Sequence, residues 1–341
     1  MKAKFSTRYI SKNRTDLSEA VPLDTPIVVF FDPSTKCHLA CNFCPCGQAH
    51  RELWRQDRKA EIMPMELAKK IIDDLTEFPH KINTLRFYKD GEPLMNKRLP
   101  DIISYANKRN AAERYDFTTN AVFLTPERSA AIVEAGLTRI IISVNGLSAE
   151  RYREDCGVKI NFNRFVDNIA YFYEHRGNCT VFVKTTNAAL RGESEEKFYR
   201  IFGDICDEIA VENISPIWAG FGSGKNSYEN TDDRIFAEGA AKERLVCPFI
   251  LYQLCYNADG TVSSCFDDWN HQLIVGDGRT QSAVEIWNGE PLRNMQLMHL
   301  SGKRNELSVC RNCKQLIYCA TDNVDASRET MRERYAGSKV Y

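Results

Sequence analysis

Short runs rich in β-branched and aromatic residues alternate with stretches of helical spacing from Ile27 to about Asn213. The strands this pattern predicts are residues 27–32, 84–88, 115–119, 139–144, 180–184 and 208–212. Between them apolar residues recur at i, i+3 and i+4, the spacing of one helix face. Leu67, Ile71, Leu75 and Phe78 mark one such face, and Phe162, Phe165, Ile169 and Phe172 a second. Phe198, Ile201, Phe202 and Ile205 mark a third. Alternation at this pitch predicts βαβ units and an α/β fold around a parallel sheet. After Ser215 the composition shifts, and residues 219–227 are glycine-rich and polar, a loop or hinge. This stretch is not a phosphate-binding loop, which needs glycine at Ala219 and serine or threonine at Asn226. The tail from Thr321 is charged and polar, a surface helix or a frayed end.

With 341 residues, 43% of them apolar, the chain has enough material for one large domain or two modules. Its 45 basic and 46 acidic side chains leave a net charge of −1, which excludes a nucleic-acid binder driven by phosphate contacts. No apolar run approaches the ~20 residues a membrane helix needs. The first residues, Met-Lys-Ala-Lys-Phe-Ser-Thr-Arg, lack the apolar stretch of a signal peptide. The expectation is a soluble cytoplasmic protein whose partners include neither nucleic acid nor membrane. Thirteen cysteines without a secretion signal do not predict disulfides. They gather at 37–46 and 247–319, with Cys156, Cys179 and Cys206 apart. Gathered cysteines point to metal, and isolated ones to small buried side chains.

Cys37, Cys41 and Cys44 follow the first predicted strand on one tight loop. Three thiolates on a 4Fe–4S cluster leave one iron open to a reacting molecule. A strand–loop–helix order also sets the loop at the C-terminal mouth of a strand, where barrel enzymes keep their chemistry. A structural zinc site with Cys46 as fourth ligand is a poor match to the spacing. Cys247, Cys265, Cys310 and Cys313 form a second set, in which a hairpin around Gly260 carries Cys265 back toward Cys247. From spacing alone this set suits a zinc ribbon and a fully ligated 4Fe–4S cluster equally.

Polar residues also crowd the predicted strand ends. Gly91-Glu92-Pro93 follows the second strand, Thr118-Thr119-Asn120 the third, and Ser143 and Asn145 flank the end of the fourth. Glycine permits close backbone approach, and a carboxylate beside it can accept from an ammonium group. The Ser, Thr and Asn residues serve equally well as caps and turn formers. Lys184 and Trp218 follow later strands and reach either a substrate or the core, whereas His38, inside the cysteine loop, is expected to be exposed.

Cys37-x3-Cys41-x2-Cys44, with Phe43 before the third cysteine, resembles the signature of the radical S-adenosylmethionine (radical SAM) enzymes. In that family the open iron holds the amino and carboxylate groups of SAM. Reductive cleavage releases a 5′-deoxyadenosyl radical that abstracts a substrate hydrogen atom. The resemblance implies a partial (β/α)6 barrel of the TIM type over residues 25–230, preceded by an extension, 1–24. It implies that Phe43 packs on the adenine and that Gly91, Glu92 and Pro93 form the motif holding the SAM amino group. Thr119, Asn120, Ser143 and Asn145 are then placed to meet the ribose and carboxylate.

The second cysteine set, with Cys319, resembles the auxiliary-cluster domain called SPASM, here over residues 240–320 with a tail at 321–341. The two-cluster pattern has a cysteine where Asn323 stands and another downstream. The chain therefore resembles the shortened, one-cluster "twitch" version, with Cys247, Cys265, Cys310 and Cys313 as ligands and two 4Fe–4S clusters in all. Cys255 and Cys319 replace a ligand, donate a hydrogen atom or fill space, and Cys156 is a third candidate hydrogen donor. The resemblance implies a flavodoxin- or ferredoxin-type electron donor. With no leader-binding domain evident in residues 1–24, the expected substrate is a small hydroxylated molecule, sugar- or nucleoside-like, oxidised through the auxiliary cluster. Epimerisation, peptide modification and a non-enzymatic electron-transfer module with structural zinc are the alternatives.

Overall fold

The computed structural model describes residues 1–6, 14–214, 218, 221, 233–234, 237–240, 243–311, 313–319 and 322–337. The glycine-rich stretch 219–227 lies outside them apart from Phe221. Among the described residues one ten-stranded sheet dominates. Its strands are Lys4–Phe5 (β1), Val28–Phe31 (β2), Ile82–Arg86 (β3), Ala112–Thr119 (β4), Arg139–Ser143 (β5), Thr180–Thr186 (β6) and Glu208–Glu212 (β7). Asp233–Arg234 (β8) and Ala237–Ala240 (β9) pair as a separate ribbon. Gln253–Tyr256 (β10), Thr261–Ser263 (β11) and Ile274–Asp277 (β12) then complete the main sheet.

The order is β1-β7-β6-β5-β4-β3-β2-β10-β11-β12, parallel from β1 through β10 and antiparallel beyond. The six predicted strands are β2 to β7, with β3 lying somewhat earlier than its pattern indicated. Runs such as Ile140-Ile141-Ile142 and Val181-Phe182-Val183 are buried throughout, as strands covered on both faces must be. Helices connect them in right order for βαβ units. Met65–Leu75 buries Ile71, Ile72 and Leu75, Phe162–His175 buries Phe165, Ile169 and Phe172, and Glu195–Phe202 buries Phe198 and Phe202. Side chains of β2, β3, β4, β5, β7 and β10 line a common interior cavity, so the sheet curls into a partial barrel. No helix among the described residues is long and apolar enough to cross a membrane.

Two pairings lie outside the predicted six-strand unit. β1, inside the N-terminal extension, adds to β7. β10 runs parallel to β2, with Leu254 opposite Val29 and Tyr256 opposite Phe31. The C-terminal region thus continues the barrel sheet through β10, and the β10–β11 hairpin is the one expected between Cys247 and Cys265. In the tail, Arg328–Gly337 forms a helix that buries Met331 and Tyr335.

A buried charge network clamps the C-terminal region to the barrel. Asp90 Oδ2 accepts from Arg58 Nη2 (2.8 Å) and faces His271 Nε2 (2.7 Å), while Oδ1 accepts from Lys89 Nζ (3.0 Å). Lys89 Nζ also donates to the Asp268 carbonyl (3.0 Å). All four side chains, Lys89, Asp90, Arg58 and His271, are at most 4% exposed. The Arg58 guanidinium lies 3.9 Å over the Trp54 ring. Asp268 accepts from the backbone N–H groups of Gln272 and Leu273 (2.8 Å each), fixing the 265–273 loop. Burial opposes the charge on Asp90, but Lys89, then Arg58 and His271, outweigh it and hold its carboxyl well below the usual range. At nearby Asp32, burial and then Asp90 outweigh Lys89, the Ser34 N–H and Arg58 and push the carboxyl up to about 7.

Removing the charge of Asp90 takes from Lys89 and Arg58 the buried anion to which both hydrogen-bond, a loss of about 3–5 kcal/mol. Asp90→Asn should lower the urea midpoint of unfolding accordingly. Asp101→Asn, in an exposed pair with Arg98, should leave it unchanged.

Candidate active site

The cysteine loop leaves β2 at its C-terminal end and is held on two sides. Ala40 N donates to Cys156 O (2.8 Å) and Asn42 N to Asp155 O (3.1 Å), tying the loop to the end of the helix Ala149–Cys156. Gly157 caps that helix at φ 69°, where a Cβ would stand 3.0 Å from the Ala40 Cβ. From the other side comes the turn after β3. A Cβ on Gly91 would lie 2.1 Å from the Ser34 carbonyl oxygen, so only glycine lets this turn rest on the loop. Glu92 N then donates to Lys36 O (2.9 Å).

Glu92 is 3% exposed and its carboxylate joins two strand ends. Oε1 accepts from Thr119 Oγ1 (2.6 Å) and Leu94 N (3.0 Å), and Oε2 from Asn120 N (2.8 Å). Burial raises its pKa despite these bonds. Asn120 Nδ2 in turn approaches Cys37 Sγ at 4.0 Å. Cys37, Cys41, Cys44, Phe43, Gly91 and Glu92 all line one cavity of about 340 Å³. Thr118, Thr119, Asn120, Ser143 and Asn145 line it too. Pro93 does not; it is buried at the start of the short turn Pro93–Met95, beneath Glu92.

Lys184 and Trp218 belong to the same cavity, Lys184 paired with Glu212 (2.6 Å). His38 differs from expectation. It is half-buried against Phe123, with ring centroids 4.2 Å apart, and burial lowers its pKa to about 4. The loop folds back on β4's end, which shields a ring that local polarity alone would leave in water.

Cys247, Cys265, Cys310 and Cys313 come together around a second, smaller cavity, with His299 and Arg304 beside them. Cys255 and Cys319 are buried but line neither cavity, and Cys156 lies beneath the cysteine loop next to Cys41. Asp267 lines both cavities. It is 2% exposed; Oδ2 lies 3.7 Å from Cys313 Sγ, and Oδ1 has no hydrogen-bond partner among the described residues. Sequence reasoning missed Asp267, although the acidic pair Asp267-Asp268, one residue beyond Cys265, was a visible signal. It also missed Lys89 and Asp90, which directly precede Gly91.

Both sets are made of sulfur donors, which iron–sulfur clusters take. Among the described residues no three His, Cys, Asp or Glu side chains converge tightly enough to grip a single metal ion. The thiols instead stand around cavity walls. Burial pushes Cys37 and Cys310 up to about 12 and Cys247 up to about 11. Burial, then Asp267, holds Cys265 and Cys313 well above the usual range. Thiolates at such sites need adjacent positive charge, which bound iron provides. His299 is buried, which lowers its pKa to about 4.

Comparison with known proteins agrees with this geometry. The radical SAM superfamily matches residues 32–205, and an iron–sulfur cluster-binding domain, SPASM, matches residues 247–314. The S-adenosyl-L-methionine-dependent 2-deoxy-scyllo-inosamine dehydrogenase of Niallia circulans is 21% identical over 285 residues, 83% of this chain and 90% of that protein. The GTP 3′,8-cyclase of Aquifex aeolicus is 31% identical over 136 residues, 39% of this chain and 40% of that one. Two solved structures share the fold. BtrN in complex with AdoMet and 2-DOIA has a TM-score of 0.56 at 17% identity, covering 88% of this chain and 97% of its own. Native anSMEcpe with bound AdoMet has a TM-score of 0.60 at 14% identity, covering 91% and 97%. The chain belongs to the radical SAM superfamily and carries a SPASM iron–sulfur domain toward its C-terminus.

Proposed function

We propose that the protein oxidises a small hydroxylated substrate, sugar- or cyclitol-like, by radical SAM chemistry with one auxiliary cluster as electron acceptor. The observation that carries this reading is Asp267, a buried carboxylate shared by the cavity of the Cys37 loop and the cavity of the second cysteine set. Cys37, Cys41 and Cys44 would hold the SAM cluster, and Cys247, Cys265, Cys310 and Cys313 a fully ligated auxiliary cluster. When bound, these groups and SAM supply the hydrogen-abstracting radical and the electron sink.

The chain's own part is to bind, orient and move a proton. Phe43 offers an aromatic face for the adenine, and Asn120, Ser143 and Asn145 offer polar groups around the ribose and carboxylate. Glu92 holds Thr119 and Asn120 in place and presents negative charge to the SAM ammonium. Converting an alcohol to a ketone removes a hydrogen atom, an electron and a proton. Asp267, which lines the cavity and whose carboxyl burial holds well above the usual range, is the group assigned to accept the hydroxyl hydrogen bond and take that proton. Cys156, Cys255 and Cys319 line neither cavity, so none of these three is placed to return a hydrogen atom as epimerisation requires; Cys46 is the one thiol outside both ligand sets, among the described residues, that lines the larger cavity. The 2-deoxy-scyllo-inosamine dehydrogenase supports an alcohol of the cyclitol type by its name. An external donor of flavodoxin or ferredoxin type completes the electron path.

Candidate aminocyclitols and sugars turned over anaerobically should give a product lighter by two hydrogens, as read by mass spectrometry. An unchanged mass with solvent deuterium at one carbon would instead identify an epimerase. Asp267→Asn should cut product formation by about 10²–10⁴-fold, the usual contribution of a positioned base. Glu92→Gln removes a charge-assisted contact of about 1.5–3 kcal/mol, so SAM affinity by anaerobic equilibrium dialysis should fall about 10- to 100-fold.

A further inference from the structure

His299 takes no part in the chemistry proposed for the larger cavity, yet it faces a cysteine of the second set. It stands in the last turn of the helix Glu290–Leu300 and is 2% exposed. Its Nε2 lies 3.6 Å from Cys310 Sγ, and its Nδ1 is buried with no partner among the described residues. The helix holds the ring there. Gln296 Nε2 donates to Ile250 O (3.2 Å), Arg293 to the Tyr335 carbonyl, and Gly302 N to His299 O (2.9 Å). Arg304, 8% exposed, donates from Nη1 to Cys310 O (2.6 Å), and both side chains line the cavity of the four cysteines.

A buried imidazole needs a good partner to offset its lost hydration. A neutral Cys310 thiol is a weak one. As a thiolate ligand, Cys310 becomes an anionic acceptor, and Nε2–H meets it with a charge-assisted bond. One neutral tautomer and the imidazolium both carry a hydrogen on Nε2, so the argument holds in either protonation state.

We propose that His299 donates its Nε2–H to the Cys310 thiolate of the auxiliary cluster and, together with Arg304, raises that cluster's reduction potential. The inference rests on the reading of Cys247, Cys265, Cys310 and Cys313 as 4Fe–4S ligands. Reduction adds one electron, taken from the substrate, and breaks no bond. A hydrogen-bond donor and a cation beside the thiolate stabilise the more negative state, so the couple becomes a better acceptor.

The test uses the full-length chain with Cys37, Cys41 and Cys44 replaced by alanine, reconstituted so that its iron is auxiliary. Potentiometric titration followed by EPR should show a lower potential in His299→Leu and most of the parent value in His299→Gln, which keeps an N–H. Pulsed EPR of the reduced parent, labelled with ¹⁵N-histidine, should show a coupled histidine nitrogen and an exchangeable proton. Both should be lost in His299→Leu. An unchanged potential in His299→Leu overturns the proposal. If that variant fails to assemble a cluster, the absence of the histidine coupling in the parent overturns it instead. Metal content separates the underlying reading: about four irons per chain upholds the cluster, whereas a single zinc removes the cluster reading itself.

Discussion

The buried carboxylate of Asp90 is the constraint on which the arrangement of the site depends. It receives hydrogen bonds from Lys89 and Arg58 and faces His271, and these come from three separate parts of the chain. Apolar packing alone tolerates sliding, because its energy follows area and not direction. A buried charge does not, since each partner displaced leaves an uncompensated ion. The turn that carries Gly91 and Glu92 is therefore fixed against the loop that carries Cys265, Asp267 and His271. The Arg55 backbone N–H, bonded to Asn270 Oδ1 at 2.8 Å, adds a further tie between the segment after the cysteine loop and that same region. The cavity between the two cysteine sets inherits its dimensions from this clamp.

Glu92 shows how a residue proposed to bind SAM also serves as structure. Its three protein donors draw the end of β3 to the end of β4, while Gly91 lets the turn lie against the cysteine loop. Loops set on rigid strand ends keep side chains within the narrow tolerances that radical chemistry demands. The parallel sheet supplies those strand ends at one mouth, and the helix ending at Gly157 steadies the cysteine loop from outside. Asp267 and Thr118, each with a buried oxygen that meets no protein donor among the described residues, line the same cavity.

Much of this was legible in the sequence. The six central strands were, because their β-branched and aromatic runs, such as Ile140–Ile142 and Val181–Val183, alternate with helices that announce themselves by face spacing. The first cysteine set was legible because its spacing is local; in the second only Cys310 and Cys313 are close in sequence, and folding brings Cys247 and Cys265 to them. β1 was not, since Lys4–Phe5 is too short for any periodicity, and the parallel pairing of β10 with β2 joins segments far apart in sequence. The Asp90 network was hidden for a related reason. Lys89, Asp90, Arg58 and His271 look like ordinary surface residues until folding brings them together away from water. His38 was misjudged because the Phe123 ring that covers it arrives from another strand's loop.

The central claim is that two separate cysteine sets each hold an iron–sulfur cluster around one substrate cavity. Iron, zinc and acid-labile sulfide analysis of the anaerobically reconstituted chain, joined to Mössbauer spectroscopy, tests it most directly. The account predicts about eight irons and eight sulfides per chain, with one cluster's spectrum perturbed by added SAM and the other's unchanged. About four irons accompanied by one zinc would contradict it.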